Sequence, residues 1–180
     1  DIRPNDMVGE PNGGTGSRLT PLPDVDIRAI EIDPRRAETL RLQGYGVTEG
    51  DSLTTKLTGA TVIVMNPPWG KYSSQKYGKP IPQVYGTPVD VAERFFVNAL
   101  NQVPKTGGRV VAVMPTTILE ARPFLDWIAT EHTLRALVQF PAGAYDTRGT
   151  GVDSVLLVVD RGKVPDAPLP IRGFAGGQPQ

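Results

Sequence analysis

Short apolar runs alternate with longer amphipathic stretches along most of the chain. Apolar or alternating runs of about four to eight residues, bounded by turn residues, predict β-strands. Runs of this kind, some of them shorter, occupy residues 7–9, 27–32, 47–51, 60–65, 109–114, 134–140 and 153–160. Apolar residues three or four positions apart predict a helix over residues 89–102. Asp33-Pro34 caps a predicted helix over residues 34–43, and a third helix is predicted over residues 116–130.

Strands that alternate with helices predict an α/β fold with a mainly parallel sheet, here of seven strands. About a dozen residues without a helix join the last two strands, which allows an antiparallel hairpin at one edge. We expect residues 1–164 to form the domain. Proline and glycine dominate residues 165–180, which we expect to be a tail or the start of a linker.

The composition is globular and excludes several kinds of site. Hydrophobic residues make up 39% of the 180 residues and charged residues 21%. No apolar run approaches the ~18 residues of a membrane span. The chain lacks cysteine and has one histidine, His132, which excludes disulfides, thiolate metal sites and multi-histidine metal sites. The absence of cysteine fits a reducing, cytoplasmic compartment.

The charge balance limits how strongly the chain alone can bind nucleic acid. Basic and acidic residues number 19 each, so the net charge is zero. A free-standing nucleic-acid-binding protein usually carries a basic excess. Any nucleic-acid contact is therefore expected to be local, or helped by another domain or chain. The chain begins at Asp1 without a methionine, so we expect a piece of a longer protein.

The most informative motif is the tetrad Asn66-Pro67-Pro68-Trp69, which directly follows the apolar run 60–65. Proline cannot donate to a sheet, and it pushes the preceding residue toward extended geometry. The tetrad is therefore a stiff turn that presents two acceptors, the Asn66 side-chain oxygen and the Pro67 carbonyl. Two acceptors beside a flat ring suit a planar amino group. The alternative is a surface turn stiffened by proline.

Three further signals follow the earlier predicted strands. The first is a glycine-rich turn that contains Glu10, Pro11, Asn12, Gly14 and Gly16. Its glycines allow a tight turn and the close approach of a ligand. No Lys-Ser/Thr pair follows them, so the turn is not a P-loop. An ordinary turn between a strand and a helix is the alternative.

The second and third signals are carboxylates. Glu31 ends the second strand, where a carboxylate can accept from both ribose hydroxyls, and Ile32 beside it could pack on an adenine face. Asp51 ends the third strand, where it could accept from an adenine amine, and Ser52 follows it. The alternatives are a solvated glutamate and a turn aspartate.

The four signals, in this order along the chain, resemble the motifs of the class I S-adenosylmethionine-dependent methyltransferases. More narrowly, they resemble the N6-adenine DNA methyltransferases of the γ arrangement, in which cofactor motifs precede the tetrad and a target-recognition domain comes last. Residues 107–115 and 143–152 are also similar to this family. The resemblance implies a Rossmann-like fold, with a mainly parallel seven-stranded sheet, an antiparallel edge hairpin and helices on both faces.

The resemblance also implies S-adenosyl-L-methionine as cofactor and a role for each motif residue. Catalytic roles fall on Asn66, Pro67, Pro68 and Trp69. Cofactor contacts fall on Glu10, Pro11, Asn12, Gly14, Gly16, Glu31, Ile32, Asp51, Ser52 and Asn66. Substrate contacts fall on Trp69, Lys71, Tyr72, Lys76 and Tyr145.

The implied reaction is methylation of the adenine N6 amine in DNA, with the base flipped out or single-stranded. Asn66 and Pro67 would accept the two amine hydrogens, and Trp69 would stack on the base. Lys71, Tyr72 and Lys76 lie in the loop 70–88, where basic and aromatic residues suit a nucleic-acid strand. A solvated loop is the alternative. Tyr145 could close the other side of the base or be a core tyrosine.

Several alternatives stay open at the level of the sequence. RNA adenine or a protein glutamine could be the acceptor, since enzymes for both use a near-identical tetrad. The chain could also be a non-catalytic subunit that binds nucleic acid or protein. We expect no target-recognition domain after the last predicted strand, and we expect further domains or a subunit to supply recognition. The resemblance implies a prokaryotic, phage or plasmid origin and no metal.

Overall fold

A computed structural model describes residues 2–17, 19, 22, 24–77, 86, 88, 90–141 and 153–174. These residues form one eight-stranded sheet. Its strands are β1 (Met7–Glu10), β2 (Asp26–Glu31), β3 (Gly46–Glu49), β4 (Val62–Met65), β5 (Arg109–Pro115), β6 (Thr133–Phe140), β7 (Ser154–Asp160) and β8 (Ile171–Phe174). The helices are α1 (Pro34–Leu42), α2 (Ser74–Tyr77), α3 (Val91–Gln102) and α4 (Arg122–Glu131), with a 3₁₀ turn over Thr116–Leu119.

The strand order across the sheet is β3-β2-β1-β4-β5-β7-β6-β8. Strands β1 to β5 pair in parallel, while β7 runs antiparallel to both β5 and β6. The predicted α/β fold, the mainly parallel sheet and the antiparallel hairpin are therefore confirmed. Because β1 to β4 are parallel, the carboxyl ends of these four strands lie at one edge of the sheet.

The strand count is corrected from seven to eight. Strand β8 pairs in parallel with β6 and therefore covers the hairpin, which was expected to form the edge of the sheet. It lies within residues 165–180, where we expected a tail or linker. Proline and glycine dominate that segment, and a four-residue strand leaves little periodicity to detect.

The local sequence explains where helices begin. The Asp33 side chain accepts hydrogen bonds from the amides of Arg35 and Arg36, and Pro34 occupies the first turn of α1. The single helix predicted over residues 116–130 is wrong, because the structure has a 3₁₀ turn followed by α4. Pro123 lies in the first turn of α4, where its missing N–H leaves no acceptor unpaired.

The main core lies where β4, β5 and β7 meet α3. The large side chains of this core that are less than 2% exposed include Ile63, Met114, Leu157 and Phe96. The Phe96 ring meets the edge of Phe124 at a centroid distance of 5.7 Å. This packing holds the end of β4, and with it the start of the tetrad, in a fixed position.

A charged cluster joins the three antiparallel strands at the edge opposite the tetrad. The Asp160 carboxylate accepts from Arg109 at 2.6 and 3.0 Å and from Arg135 at 2.6 Å. Burial by itself raises the pKa of Asp160, but the hydrogen bonds from the two guanidinium groups outweigh burial and hold this pKa below its ordinary value. The cluster is structural, since it lies away from the cleft described next.

Candidate active site

The ends of β1, β2 and β4 and the segment after β3 surround a cleft of about 510 Å³. All four sequence motifs contribute to its wall. The residues that line it are Pro11, Asn12, Gly14, Ile30, Glu31, Ile32, Arg36, Gly50, Asp51, Ser52, Leu53, Asn66, Pro67, Pro68, Lys76 and Phe95. The tertiary structure therefore brings together side chains that are far apart in the sequence, at the sheet edge where open α/β sheets bind ligands.

The glycine-rich turn is held against the end of β2. The amide of Gly13 donates to the Ile30 carbonyl at 3.0 Å, and the amide of Gly14 donates to Glu31 Oε2 at 2.7 Å. Gly14 has φ +56°, in the left-handed region that favours glycine. The turn therefore presents backbone, rather than side chains, to this part of the cleft.

Two predicted cofactor residues of this turn support the cleft without lining it. Glu10 is fully buried, and its Oε1 accepts from the Asn12 amide at 3.1 Å. Gly16 has φ +79°, and a Cβ there would lie 2.9 Å from the Leu40 side chain and 2.3 Å from that of Gln43. Direct cofactor contact by either residue stays a prediction, whereas both shape the turn.

Glu31 is the most constrained carboxylate of the cleft. It is 5% exposed, and besides the bond from Gly14 its Oε1 accepts from the Asp33 amide at 2.9 Å. Each carboxylate oxygen can accept a second hydrogen bond, so these backbone contacts orient the group without exhausting its acceptors. Ile32, the next residue, is 68% exposed and also lines the cleft.

Asp51 and Ser52 form the wall that follows β3. Asp51 is exposed, and its Oδ1 accepts from the Leu53 amide at 2.9 Å in a local turn. Ser52 is buried, and its Oγ accepts from the Asn12 side chain at 3.4 Å. The Ser52 carbonyl accepts from Asn98 of α3 at 2.7 Å. These contacts fix the third motif against the first motif and against a helix.

The tetrad leaves the end of β4 as expected. Asn66, Pro67 and Pro68 line the cleft, and no described residue hydrogen-bonds the Asn66 side chain. Trp69 does not line the cleft, because its half-buried ring packs against the main core. Its Nε1–H is buried and has no acceptor among the described residues. Stacking of Trp69 on a base stays a prediction.

The other predicted substrate residues are distributed unevenly. Lys76 is exposed and lines the cleft, whereas Lys71 and Tyr72 lie outside it. The Lys71 backbone forms a bridge with Asp90, immediately before α3. Tyr145 lies outside the described residues.

Five residues of the cleft were not among the site residues predicted from the sequence: Ile30, Arg36, Gly50, Leu53 and Phe95. Leu53 and Phe95 add apolar surface, and Arg36 adds a cation on α1. Phe95 lies on the apolar face of its helix, which is equally typical of a core residue, and it is 7% exposed. No local pattern marks Arg36 or Leu53, because their approach to the cleft depends on how α1 and the β3 loop pack.

Two further properties concern only the part of the chain that the structure describes. No three acidic or histidine side chains there lie close enough together to hold a metal ion. None of the helices there has the length and apolarity needed to cross a membrane.

No protein-family profile and no curated protein sequence matches the chain. Solved structures do match. A protein from Listeria monocytogenes assigned to the class I S-adenosylmethionine-dependent methyltransferases matches with TM-score 0.71 and 16% identity, over 98% of this chain and 60% of that protein. The methyltransferase subunit of a type I restriction-modification system from Streptococcus thermophilus matches with TM-score 0.71 and 15% identity, over 90% and 41%.

The M protein of the type I restriction enzyme EcoKI matches with TM-score 0.67 and 19% identity, over 89% of this chain and 41% of that protein. The chain thus spans between 41% and 60% of the length of these three proteins. Identities of 15–19% with these TM-scores show a shared backbone architecture. The chain has the fold of the class I S-adenosylmethionine-dependent methyltransferases.

Proposed function

We propose that this chain is the catalytic domain of an S-adenosylmethionine-dependent methyltransferase that acts on the N6 amine of adenine in DNA. One observation carries the proposal. A single cleft is lined by Glu31 and Asp51 on one side and by the paired acceptors of Asn66 and Pro67 on the other. This arrangement supports a cofactor site and an amine site that adjoin in one cavity.

The residues of the cleft fit the proposed cofactor. A volume of about 510 Å³ falls within the range of small-molecule sites, roughly 300–1,000 Å³. Glu31 offers carboxylate oxygens that its backbone contacts already orient, which suits the two ribose hydroxyls. Ile32 and Leu53 offer apolar surface for the adenine faces, and Asp51 offers an acceptor for its amine. When bound, S-adenosylmethionine supplies an electrophilic methyl group on its sulfonium.

The tetrad acts on the acceptor amine by positioning. The N6 lone pair of adenine is delocalised into the ring, so the nitrogen is a poor nucleophile. The Asn66 side-chain oxygen and the Pro67 carbonyl accept its two hydrogens, which favours a tetrahedral nitrogen and frees the lone pair. The flanking prolines keep both acceptors in place, so the contribution is preorganised electrostatics without a covalent intermediate.

Two observations support DNA as the acceptor. Two of the structural neighbours are methyltransferase proteins of type I restriction systems. Lys76 lies at the cleft, with Lys71 and Tyr72 in the same loop. A base in a duplex cannot reach such a cleft, so it is flipped out or already single-stranded. Because the net charge is zero, we further propose that another domain or a subunit supplies most of the DNA affinity and the recognition sequence.

Labelled-methyl transfer tests the proposal. The full-length protein is incubated with radiolabelled S-adenosylmethionine and, separately, with DNA, RNA and protein acceptors. We expect label in DNA as N6-methyladenine and a loss of at least about 100-fold in Asn66→Ala, because one of two preorganised acceptors is removed. Label found only in RNA or in protein glutamine would reassign the acceptor. Label in DNA that survives Asn66→Ala would refute the role of Asn66.

A further inference from the structure

We infer that Asp90 is a positioning residue for the tetrad, through a buried carboxylate that holds the chain immediately after Trp69. The effect of Asp90 on catalysis rests on the proposed function. Asp90 precedes α3 and lies in no sequence motif described above. It is 6% exposed, although it sits between a loop and a helix.

The Asp90 carboxylate joins three separate segments. The amide of Gly70, the residue after the tetrad, donates to Oδ1 and Oδ2 at 3.2 Å each. The amide of Ala92 in α3 donates to Oδ1 at 2.8 Å. The hydroxyl of Thr117, which follows β5, donates to Oδ2 at 3.4 Å. The tetrad turn is thereby fastened to a helix start and to the end of the strand beside β4.

Backbone hydrogen bonds also hold the segment after the tetrad against the start of α3. The Gly70 carbonyl accepts from the Val91 amide at 2.8 Å, and Lys71 pairs with Asp90 in an antiparallel bridge. Gly70 has φ +132°, a backbone conformation that residues with a side chain rarely adopt. This bend turns the chain back toward α3. Both polar backbone groups of Gly70 are therefore held by the start of α3.

These contacts constrain the two catalytic acceptors. The peptide plane between Trp69 and Gly70 is rigid, and Pro67 and Pro68 each have a fixed φ. At the other end, Met65 is paired with Ala112 in the sheet. A short turn that is held by hydrogen bonds at both ends and has two fixed φ angles has little conformational freedom. Asp90 therefore helps to set the direction of the Pro67 carbonyl, although it does not itself contact the substrate.

The Asp90 carboxylate has a second role besides capping α3, because it also accepts from Gly70 and Thr117. Asparagine or serine caps a helix start about as well as aspartate. Only a carboxylate has two oxygens that both accept, and Gly70, Ala92 and Thr117 together use both of them. In Asp90→Asn the amide oxygen in the Oδ1 position can still accept from Ala92 and keeps one of the two contacts with Gly70. The NH₂ group in the Oδ2 position accepts from neither Gly70 nor Thr117. This substitution therefore keeps the helix cap and weakens the hold on the tetrad turn.

The experiment compares Asp90→Asn with Glu93→Gln in the full-length protein. Glu93 is also buried and accepts from the Asp90 amide, and no hydrogen bond joins it to Gly70 among the described residues, so it controls for a lost carboxylate in the same turn. We expect Asp90→Asn to lower kcat by about 10- to 100-fold, as small misplacements of reacting groups do. The Kd for S-adenosylmethionine should stay within about twofold of wild type, because the cofactor wall is untouched.

A spectroscopic measurement tests the fastening independently of turnover. The chain has two tryptophans, so Trp127→Phe leaves Trp69 as the single emitter. In that background we expect acrylamide quenching of Trp69 to rise in Asp90→Asn and to remain unchanged in Glu93→Gln. If no acceptor is methylated by the wild-type protein, the proposed function fails, while the quenching still decides whether Asp90 holds the turn.

The proposal requires both changes in Asp90→Asn. Unchanged quenching overturns it whatever happens to kcat, since the turn has not moved. Unchanged kcat with raised quenching overturns the catalytic consequence. If Asp90→Asn does not fold, Gly70→Ala strains the same contact from the other side while leaving the carboxylate in place. The same two readouts then apply to that variant.

Discussion

The Glu31 carboxylate offers the sharpest test of the cofactor side of the cleft, through the variant Glu31→Gln. Both of its oxygens accept backbone hydrogen bonds, from Gly14 at 2.7 Å and from Asp33 at 2.9 Å. The side chain is 5% exposed, so water cannot replace a lost acceptor easily. Glutamine has the same shape but only one accepting oxygen, and one of the two amides therefore loses its partner.

Glu31→Gln is expected to have two separate effects, one on the unfolding free energy and one on cofactor binding. A buried donor left without an acceptor costs about 1–3 kcal/mol, so we expect unfolding free energy to fall by about 2 kcal/mol. For a chain of this length that corresponds to a Tm lower by about 4–8 °C. Loss of one charge-assisted bond to a ribose hydroxyl costs a further ~1.5–3 kcal/mol of binding, so the Kd for S-adenosylmethionine should rise about 10- to 100-fold.

Isothermal calorimetry with S-adenosylmethionine, well below both melting midpoints, measures the second effect without the first. Glu49→Gln is the matched control, because Glu49 is the β3 residue that pairs with Glu31 yet lies exposed. Its ion pair with Arg41 is long, at 3.9 Å, so its removal should change neither Tm nor Kd appreciably. If Glu31→Gln binds the cofactor within about twofold of wild type, Glu31 does not contact the ribose and the reasoning is refuted.

Two stability predictions concern residues away from the cleft. Asp160→Asn should lower unfolding free energy by about 2 kcal/mol near neutral pH, because Arg109 and Arg135 lose a charged acceptor. The folded pKa of Asp160 lies below its ordinary 3.8, so this contribution is complete above that value and disappears as pH falls through the folded pKa. Urea denaturation should therefore show wild type and variant converging below about pH 4, and a constant difference would contradict the assignment. Phe96→Ala should cost about 3–5 kcal/mol in the same measurement, because Phe96 is fully buried, whereas Leu42→Ala, at an 81% exposed position, should cost less than about 0.5 kcal/mol.

Much of the fold could be predicted because its signals are local. A buried strand needs only a few consecutive apolar residues, and the Asp33-Pro34 pair marks a helix start by its own capping chemistry. The parts that the sequence did not predict depend on distant partners. Strand β8 exists through its pairing with β6, and the proline-rich segment before it gives no sign of that pairing. The break before α4 follows from Pro123, because proline is favoured in the first turn of a helix and disfavoured in its interior.

For the candidate site, the sequence by itself determined which polar groups stand at strand ends: Glu31, Asp51 and the Asn66 tetrad. Parallel strands present their carboxyl ends at one edge, so a linear order of motifs was enough to predict that these groups meet. Only the tertiary structure decided that Phe95 completes the cleft, that Trp69 rests against the core, and that Asp90 fastens the tetrad turn. These contacts join residues through packing between elements, and such packing depends on helix placement and loop direction, which no short stretch of sequence encodes.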